Sequence, residues 1–455
     1  MARLPNPQST QQGASPRKLL IAVGIGNALE WFDFSIYGLF APQIAANFFP
    51  GKAPLTGLLA TFAVLAVAFL ARPFGGILFG VIGDRKGRRY ALSLAVVLMG
   101  AGTAAIGVLP THAQVGVLAP VLLICCRIVQ GVSAGGEYNS ATAFVTEHAP
   151  SDRRGKHASI ISATVALSTV LGTAMSLFVL GWLSASQIQH FGWRVPFIVV
   201  GLLSVLGLYL RLRMEETPVY REFQAKQERG GEQEQQVVKT IPVRKALRTH
   251  TRVLVTIFCA AGVVGLVTYI FLGYLVSHLQ VKLDYSPRQA LAALMIGATA
   301  QLIALVVFGR VIDAVNRRRW FLVAAGVAVL APLPLYQLLP SGYAAVVCVM
   351  CVLGTLVAAL SVCYNLLTVE MLPTSIRVTG GAVAYNVAYV VFGGTAPFVA
   401  TWVTKVFGSS LAPALYMVGV TAVLTLVLVC TLPDTSNVGS LDELDNLDVA
   451  ERVTG

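Results

Sequence analysis

Charge is scarce in this chain: 12% of its residues are Asp, Glu, Lys or Arg, against 56% that are hydrophobic. A soluble domain carries about 25% charged residues, so a molecule wetted on all sides is excluded. Mean hydropathy is +0.73, a membrane-protein value. Cysteine is scarce too. All seven fall within apolar runs, which excludes a disulfide framework and leaves free thiols as small packing groups. Cys348 and Cys351 have C-x-x-C spacing, yet no second pair or nearby His completes a metal or redox site. The six histidines are spread over loops and helix ends. With no nucleophile–base pair and no phosphate loop, the chain does not read as an enzyme, and no cofactor is expected.

What the chain has in quantity is long apolar runs. A helix that crosses a bilayer needs about 20 mainly apolar residues. Twelve stretches qualify, at approximately 19–43, 57–82, 90–110, 115–141, 157–182 and 194–212, then 251–281, 288–313, 319–339, 343–369, 377–405 and 411–432. In lipid every backbone polar group must bond within its own segment, so these runs are helices. The short alternating segments of a membrane β-barrel are missing.

The runs are doubled. Gly80-Val-Ile-Gly-Asp84-Arg85-Lys86-Gly87-Arg88-Arg89 has an echo in Gly309-Arg-Val-Ile-Asp313-Ala-Val-Asn316-Arg317-Arg318, and both lie between apolar runs. Asn316 stands where the first copy has Gly87, and Asn is the next-best residue for a left-handed turn position. A second echo, at nearly the same displacement, relates Glu147-His-Ala-Pro150 with Arg154 to Glu370-Met-Leu-Pro373 with Arg377. Duplication of this kind is the architecture of a transporter. The predicted fold class is thus an all-α membrane protein of twelve transmembrane helices in two pseudo-symmetric six-helix bundles. The expected division is a tail at 1–18, a bundle at 19–212, a polar linker at 213–250, a second bundle at 251–432 and an acidic tail at 433–455. The linker contains Glu228-Arg-Gly-Gly-Glu-Gln-Glu-Gln-Gln236 and cannot bury enough apolar surface to fold alone.

Of the Lys and Arg residues, Lys52, Lys282, Arg288 and Lys405 fall on one side of the predicted spans, and Arg72, Arg127 and Arg194 within or at the edge of them. All the others lie in the opposite loops, the span ends that adjoin them and the tails, which the positive-inside rule makes cytoplasmic. The formal net charge of +12 therefore reports topology, and no nucleic-acid partner is expected. The first apolar run is too long and too acidic for a signal peptide and lacks a cleavage pattern, so it stays as helix 1.

Several stretches carry a family resemblance. The Gly80–Arg89 segment resembles the signature loop between helices 2 and 3 of the major facilitator superfamily. Gly26-Asn-Ala-Leu-Glu30-Trp-Phe-Asp33-Phe-Ser-Ile-Tyr37-Gly38, Arg127-Ile-Val-Gln130-Gly131-Val-Ser-Ala-Gly-Gly136-Glu137-Tyr138 and Gly192-Trp-Arg194-Val-Pro196-Phe197 are similar to its metabolite:proton symporters, carriers of citrate, 2-oxoglutarate, shikimate and proline/betaine. The likeness covers roughly 20–432. It implies alternating access and proton-coupled uptake in a bacterial-type inner membrane, with both termini cytoplasmic and the proton as coupling ion. A single copy of the chain is expected to suffice. The C-terminal tail is short, without the heptad-patterned extension of some osmosensing members. The fifth span lacks the Gly-Pro with flanking glycines that drug/proton antiporters carry.

Charge inside the bilayer costs about 3 kcal/mol or more, so each intramembrane charge needs a partner or an aqueous cavity. Glu30, Asp33, Arg72 and Arg127 all fall near mid-depth in the first bundle and sum to zero. Asp33 or Glu30 is expected to hold the transported proton, with Arg127 as the switchable partner that turns to substrate. That role resembles the acid–arginine pairing of proton-coupled sugar carriers. The alternative is a fixed Glu30–Arg127 or Asp33–Arg72 staple. Arg72, Tyr37 and Gln130 join the expected substrate set. The second bundle has no mid-depth charge, so its contribution is expected from Tyr269, Tyr274, Tyr364, Asn365, Tyr385, Asn386 and Tyr389, of whose tyrosines only one or two touch substrate. Gly393-Gly394-Thr395-Ala396-Pro397 is expected to break helix 11 and bare backbone groups. Asp84, Arg85, Arg88 and Arg89, with Asp313 in the second copy, are expected to latch one end, the acid meeting a helix N-terminus of the other bundle. Glu137, Glu147, Arg154, Glu370 and Arg377 are expected as gate ion pairs. The expected cargo is a small organic carboxylate of di- or tricarboxylate type. A zwitterionic osmolyte such as proline or betaine fits the same charges, and a non-transporting membrane sensor is the rival class.

Overall fold

The computed structural model describes residues 16–51, 53–86, 88–135, 137–147, 149–212, 250–373 and 376–435. The linker and both tails lie outside the described residues, as do the side chains of Glu30, Asp84, Arg85, Arg88, Arg89, Glu137 and Glu147. Every regular element among the described residues is helical.

Twelve helical spans follow one another. They are α1 Pro16–Leu39, α2 Pro54–Lys86, α3 Arg88–Val108, α4 Leu118–Ser133 with its continuation Glu137–Glu147, α5 Arg154–Trp182 and α6 Arg194–Leu212. The second set begins with α7, made of Thr251–Tyr269, a π turn Ile270–Tyr274 and Leu275–Lys282, followed by α8 Pro287–Val311. Then come α9 Arg317–Leu330 with Pro332–Leu338, and α10 Tyr343–Glu370. α11 joins Arg377–Ala388, a π turn Tyr389–Gly394 and Ala396–Phe407, and α12 is Ala412–Thr431. Eight of these are long and apolar enough to cross a membrane by themselves, and α9 qualifies as a pair bent by 45°. The apolar stretches Ser93–Val108 and Leu118–Ser133 are shorter.

Local sequence explains the ends. Ser286 accepts a hydrogen bond from the Gln289 N–H, and Gln289 answers with its side chain, a capping box that starts α8 just before Pro287. Asn316 has φ −65° and ψ 115°, and its side chain accepts the Arg319 N–H at 2.8 Å. The left-handed turn expected of Asn316 is therefore corrected: it is the N-cap of α9, which frees it from replacing glycine. Three other limits differ from expectation. α1 gives way after Leu39 to a separate short helix, Ala41–Phe48. α4 is interrupted at 134–135 where one continuous span was expected. α11 is widened by a π turn at Tyr389–Gly394 and not broken at Gly393–Pro397, because the chain keeps helical bonding across the two glycines.

The packing has two-fold logic. In the first set α3 lies against α6, and in the second α9 lies against α12. Between the sets α5 runs along α8 and α2 along α11, with α1 meeting α7 and the continuation of α4 meeting α10 and α11. On the outer helices large apolar side chains face outward, such as Leu202 and Val205 on α6 and Val423 and Leu426 on α12, as lipid contact requires. Both described chain ends sit at one end of the bundle, here the tail face, since an even number of spans separates them. The α2–α4 crossing is the tightest: a Cβ on Gly131 would lie 2.0 Å from the Ala68 carbonyl oxygen, and one on Gly135 2.3 Å from that of Arg72. This small-xxx-small spacing lets two backbones touch, with Gly131 level with Ala68 and Gly135 level with Arg72.

Candidate functional site

Asp33 on α1 is 1% exposed and Arg127 on α4 is fully buried. Their closest ionic approach is 3.7 Å, from Arg127 Nη1 to Asp33 Oδ2. The carboxylate is also held by neutral donors: the Thr103 hydroxyl of α3 donates to Oδ1 at 2.7 Å, and Gln130 Nε2 donates to Oδ2 at 2.8 Å. Gln130 also reaches Thr103 Oγ1 at 2.9 Å. Two helices, α3 and α4, thus fix one acid of α1. Thr103 is a member of the site that sequence reading missed, and an apolar helix with a lone Thr gave it no charge signal.

The Arg127 guanidinium is less satisfied. Its Nε, Nη1 and Nη2 have no hydrogen-bond partner among the described residues. Instead its carbon lies 3.7 Å from the centre of the Tyr37 ring, a cation–π contact, while the Tyr37 hydroxyl donates to the Thr61 carbonyl at 3.0 Å. A buried guanidinium holding one long ionic contact and a ring face keeps donors in reserve, which suits it to accept a carboxylate. Of the two staples considered from sequence, the described residues contain neither: the Asp33 partner is Arg127, and Glu30 lies outside the described side chains.

Arg72 on α2 is 1% exposed and sits among rings, 4.6 Å from the centre of Phe34, 4.8 Å from Phe69 and 5.9 Å from Trp31. Those rings continue into the other bundle. Phe69 meets Tyr269 at 5.0 Å, Trp31 meets Tyr138 at 6.1 Å and Tyr269 at 6.3 Å. Tyr138 stacks on Tyr385 at 5.1 Å, Tyr389 lies tilted against Tyr385 at 4.0 Å, and Tyr364 lies 6.3 Å from Tyr385. Tyr269, Tyr364, Tyr385 and Tyr389 form one connected set of rings, because α7, α10 and α11 converge there. Trp31 and Tyr138 belong to it as well; both stood in stretches singled out from sequence, unassigned. Gly394 makes room, since a Cβ there would lie 2.3 Å from the Phe69 ring. Tyr274 is elsewhere, with its hydroxyl 2.8 Å from Thr404 Oγ1 and 3.0 Å from Nδ1 of His278. His278 itself is buried near the end of α7, which closes at Lys282.

Toward the tail face the bundles are clasped. Asn365 donates to Ser162 Oγ at 3.0 Å and the Ala158 carbonyl at 3.2 Å, and accepts from the Tyr138 hydroxyl at 3.0 Å. Asn386 donates to the Gly135 carbonyl at 2.9 Å. Asp313 accepts the Gly155 N–H at 2.6 Å and the Lys156 N–H at 3.2 Å, in the first turn of α5. A carboxylate on the positive end of a helix in the other bundle is the contact anticipated for the first-copy acid, and the second-copy acid makes it. Gly155 is required there, as a Cβ would come 2.7 Å from Asp313 Oδ1 and 2.2 Å from Ile312. Glu370 pairs with Arg317 at 3.0 Å and accepts from Thr435 at 2.6 Å. Arg377 donates to the Leu372 carbonyl at 3.0 Å, and Arg154 is 5% exposed. At the opposite end Arg288 donates to the Leu180 carbonyl at 3.0 Å, and Lys405 donates to Thr56 at 3.1 Å. Both ends of the central set are therefore bridged.

The description of the Major Facilitator Superfamily matches residues 23–397. The chain is 34% identical over 421 residues to a provisionally named proline/betaine transporter of Staphylococcus aureus (strain COL), covering 90% of this chain and 87% of that one. It is 32% identical over 431 residues to the proline/betaine transporter of Escherichia coli (strain K12), covering 92% and 84%. Among solved structures it is similar to a D-xylose–proton symporter, with a TM-score of 0.73 at 19% identity over 93% of this chain and 99% of that one. At that identity the likeness bears on the fold.

Proposed function

The chain belongs to the major facilitator superfamily as a metabolite:proton symporter, and on that premise we propose that it imports a zwitterionic osmolyte of proline or betaine type with a proton, by alternating access. One observation carries the reading. The centre offers a single buried guanidinium with donors in reserve, Arg127, beside a set of aromatic faces drawn from both bundles. A substrate carboxylate takes the Arg127 donors when Asp33 is protonated, and the substrate cation meets the rings. A zwitterion supplies one charge for each, so both substrate charges find a partner of the opposite kind. A di- or tricarboxylate brings at least two negative charges, and the second cation, Arg72, already lies against three rings. The names of the relatives support the same choice, so the osmolyte reading replaces the carboxylate expectation.

Asp33 is the proton carrier in this scheme, with Gln130 and Thr103 keeping its carboxyl oriented in both protonation states. Asp313, Glu370 and Arg317 close the tail face, which the placement of Lys and Arg makes cytoplasmic. One copy of the chain contains the whole site. The test is uptake by proteoliposomes with and without an inward proton gradient, using labelled proline, betaine, citrate, 2-oxoglutarate, succinate and shikimate. Gradient-driven accumulation of betaine or proline is the expected result. Accumulation of a carboxylate alone would return the reading to organic acids, and saturable flux of any of them rejects the sensor.

A further inference from the structure

A feature outside the transport site lies on the outer face of the second bundle. A groove of about 780 Å³ runs between α8, α9 and α10. Its wall is apolar along most of its length, with Phe308, Val323, Val327, Val352 and Leu356 among the lining residues. Arg319 stands at its mouth, beside Asn316 at the tail-face start of α9. From Arg319 to Val327 the helix rises about 12 Å, and from Cys351 to Ala359 the antiparallel wall of α10 matches it. The groove therefore spans about one leaflet of hydrocarbon, starting at headgroup level. Val323 is 67% exposed.

The arginines around the mouth are not equivalent. Arg317 is buried and paired with Glu370. Arg318 donates to the Val429 carbonyl at 2.9 Å, and Arg310 to the Val306 carbonyl at 3.0 Å. The Asn316 amide donates to Asp434, so that carboxylate is bound beside the mouth. The Arg319 guanidinium is exposed and has no hydrogen bond or ion pair among the described residues. Trp320 donates to the Ala359 carbonyl at 2.9 Å and forms the upper wall, an amphipathic ring at interface depth.

We propose that this groove is a binding site for an anionic phospholipid of the tail-face leaflet, with one acyl chain along Val323, Val327, Val352 and Leu356 and the phosphate on Arg319. The apolar length selects a lipid over a free phosphate, and the cation selects an anionic headgroup over a zwitterionic one. The α9 bend at Ala331–Pro332 lies just beyond the deep end of the groove.

The experiment is quenching of Trp320 in the purified full chain by phosphatidylglycerol, and separately phosphatidylcholine, brominated on the acyl chains. The Trp320 signal is the difference between the native chain and Trp320→Phe, which removes the other four tryptophans from the reading. Phosphatidylglycerol is expected to quench at about fivefold lower concentration than phosphatidylcholine, the scale of one arginine near a lipid surface. Arg319→Glu and Arg319→Gln are expected to abolish that preference while phosphatidylcholine still quenches as in the native chain, which shows the fold intact. Equal quenching by the two lipids, or a preference that survives both substitutions, overturns the proposal. Displacement of the lipid by glycerol phosphate would identify a headgroup-only anion site and overturns it too.

Discussion

The two bundles share a fold and divide the chemistry. The first holds the described ionisable groups of the centre, Asp33, Arg72 and Arg127, each at most 1% exposed. The second offers only neutral groups there: Tyr269, Tyr364, Asn365, Tyr385, Asn386 and Tyr389. The difference has a physical advantage. A carrier must separate its bundles in every cycle, and parting a buried ion pair leaves an uncompensated charge at a cost of about 3–5 kcal/mol. Stacked rings and neutral hydrogen bonds cost about 1 kcal/mol each to exchange. Keeping the ion pair within one bundle lets it move as a unit, while the seam that opens is made of inexpensive contacts.

This division can be broken from its ionic side first. Arg127→Leu should lower uptake by about 100-fold or more in vesicles of equal protein content, because Asp33 is left buried without its counter-charge. Asp33→Asn should separate coupling from binding. Gradient-driven accumulation is expected to vanish while exchange of labelled for unlabelled substrate across the membrane continues; loss of both would make Asp33 a structural residue. On the neutral side, Tyr385→Leu should raise the half-saturating concentration of betaine about 5- to 30-fold, the worth of a desolvated cation–π contact. Tyr385→Phe should leave it nearly unchanged, and a loss as large as that of Leu would assign the function to the hydroxyl. The smallest effect is expected at the seam. Asp313→Asn weakens one acid–helix contact by about 1 kcal/mol, which should appear as a few-fold shift in spin-label distance populations between α5 and α8 at the tail face, with substrate affinity preserved.

Much of this arrangement was legible in the chain because membrane residence makes sequence blunt. Each span must be apolar over its whole length, so Asp33, Arg72 and Arg127 stood out without any homologue. The internal echo pointed to Asp313, which indeed crosses to the other bundle. What the sequence concealed were groups that apolar spans tolerate without visible cost. The Met99 carbonyl of its own helix lies 2.9 Å from the Thr103 hydroxyl and can take its one proton, so nothing in the pattern marks the competing acceptor, Asp33. Aromatic residues are likewise ordinary in membrane helices, and only convergence of α1, α4, α7, α10 and α11 reveals which rings meet. His278 hid in the same way, as one polar residue absorbed by Tyr274. Backbone irregularities were the hardest to foresee. The π turns in α7 and α11 and the interruption in α4 arise from packing between helices, which a single strand of sequence does not contain.

Those π turns bear on motion as well as on shape. Each holds one surplus residue, and an α-helix turns by about 100° for every residue. If the surplus slides by one position along Tyr389–Gly394, every side chain it passes is re-aimed by more than a quarter turn. The span keeps its length and its ends to within about 1.5 Å. Rings such as Tyr389 could then swing out of the central stack and return without any helix unwinding, as a bead moves along a wire while the wire stays still.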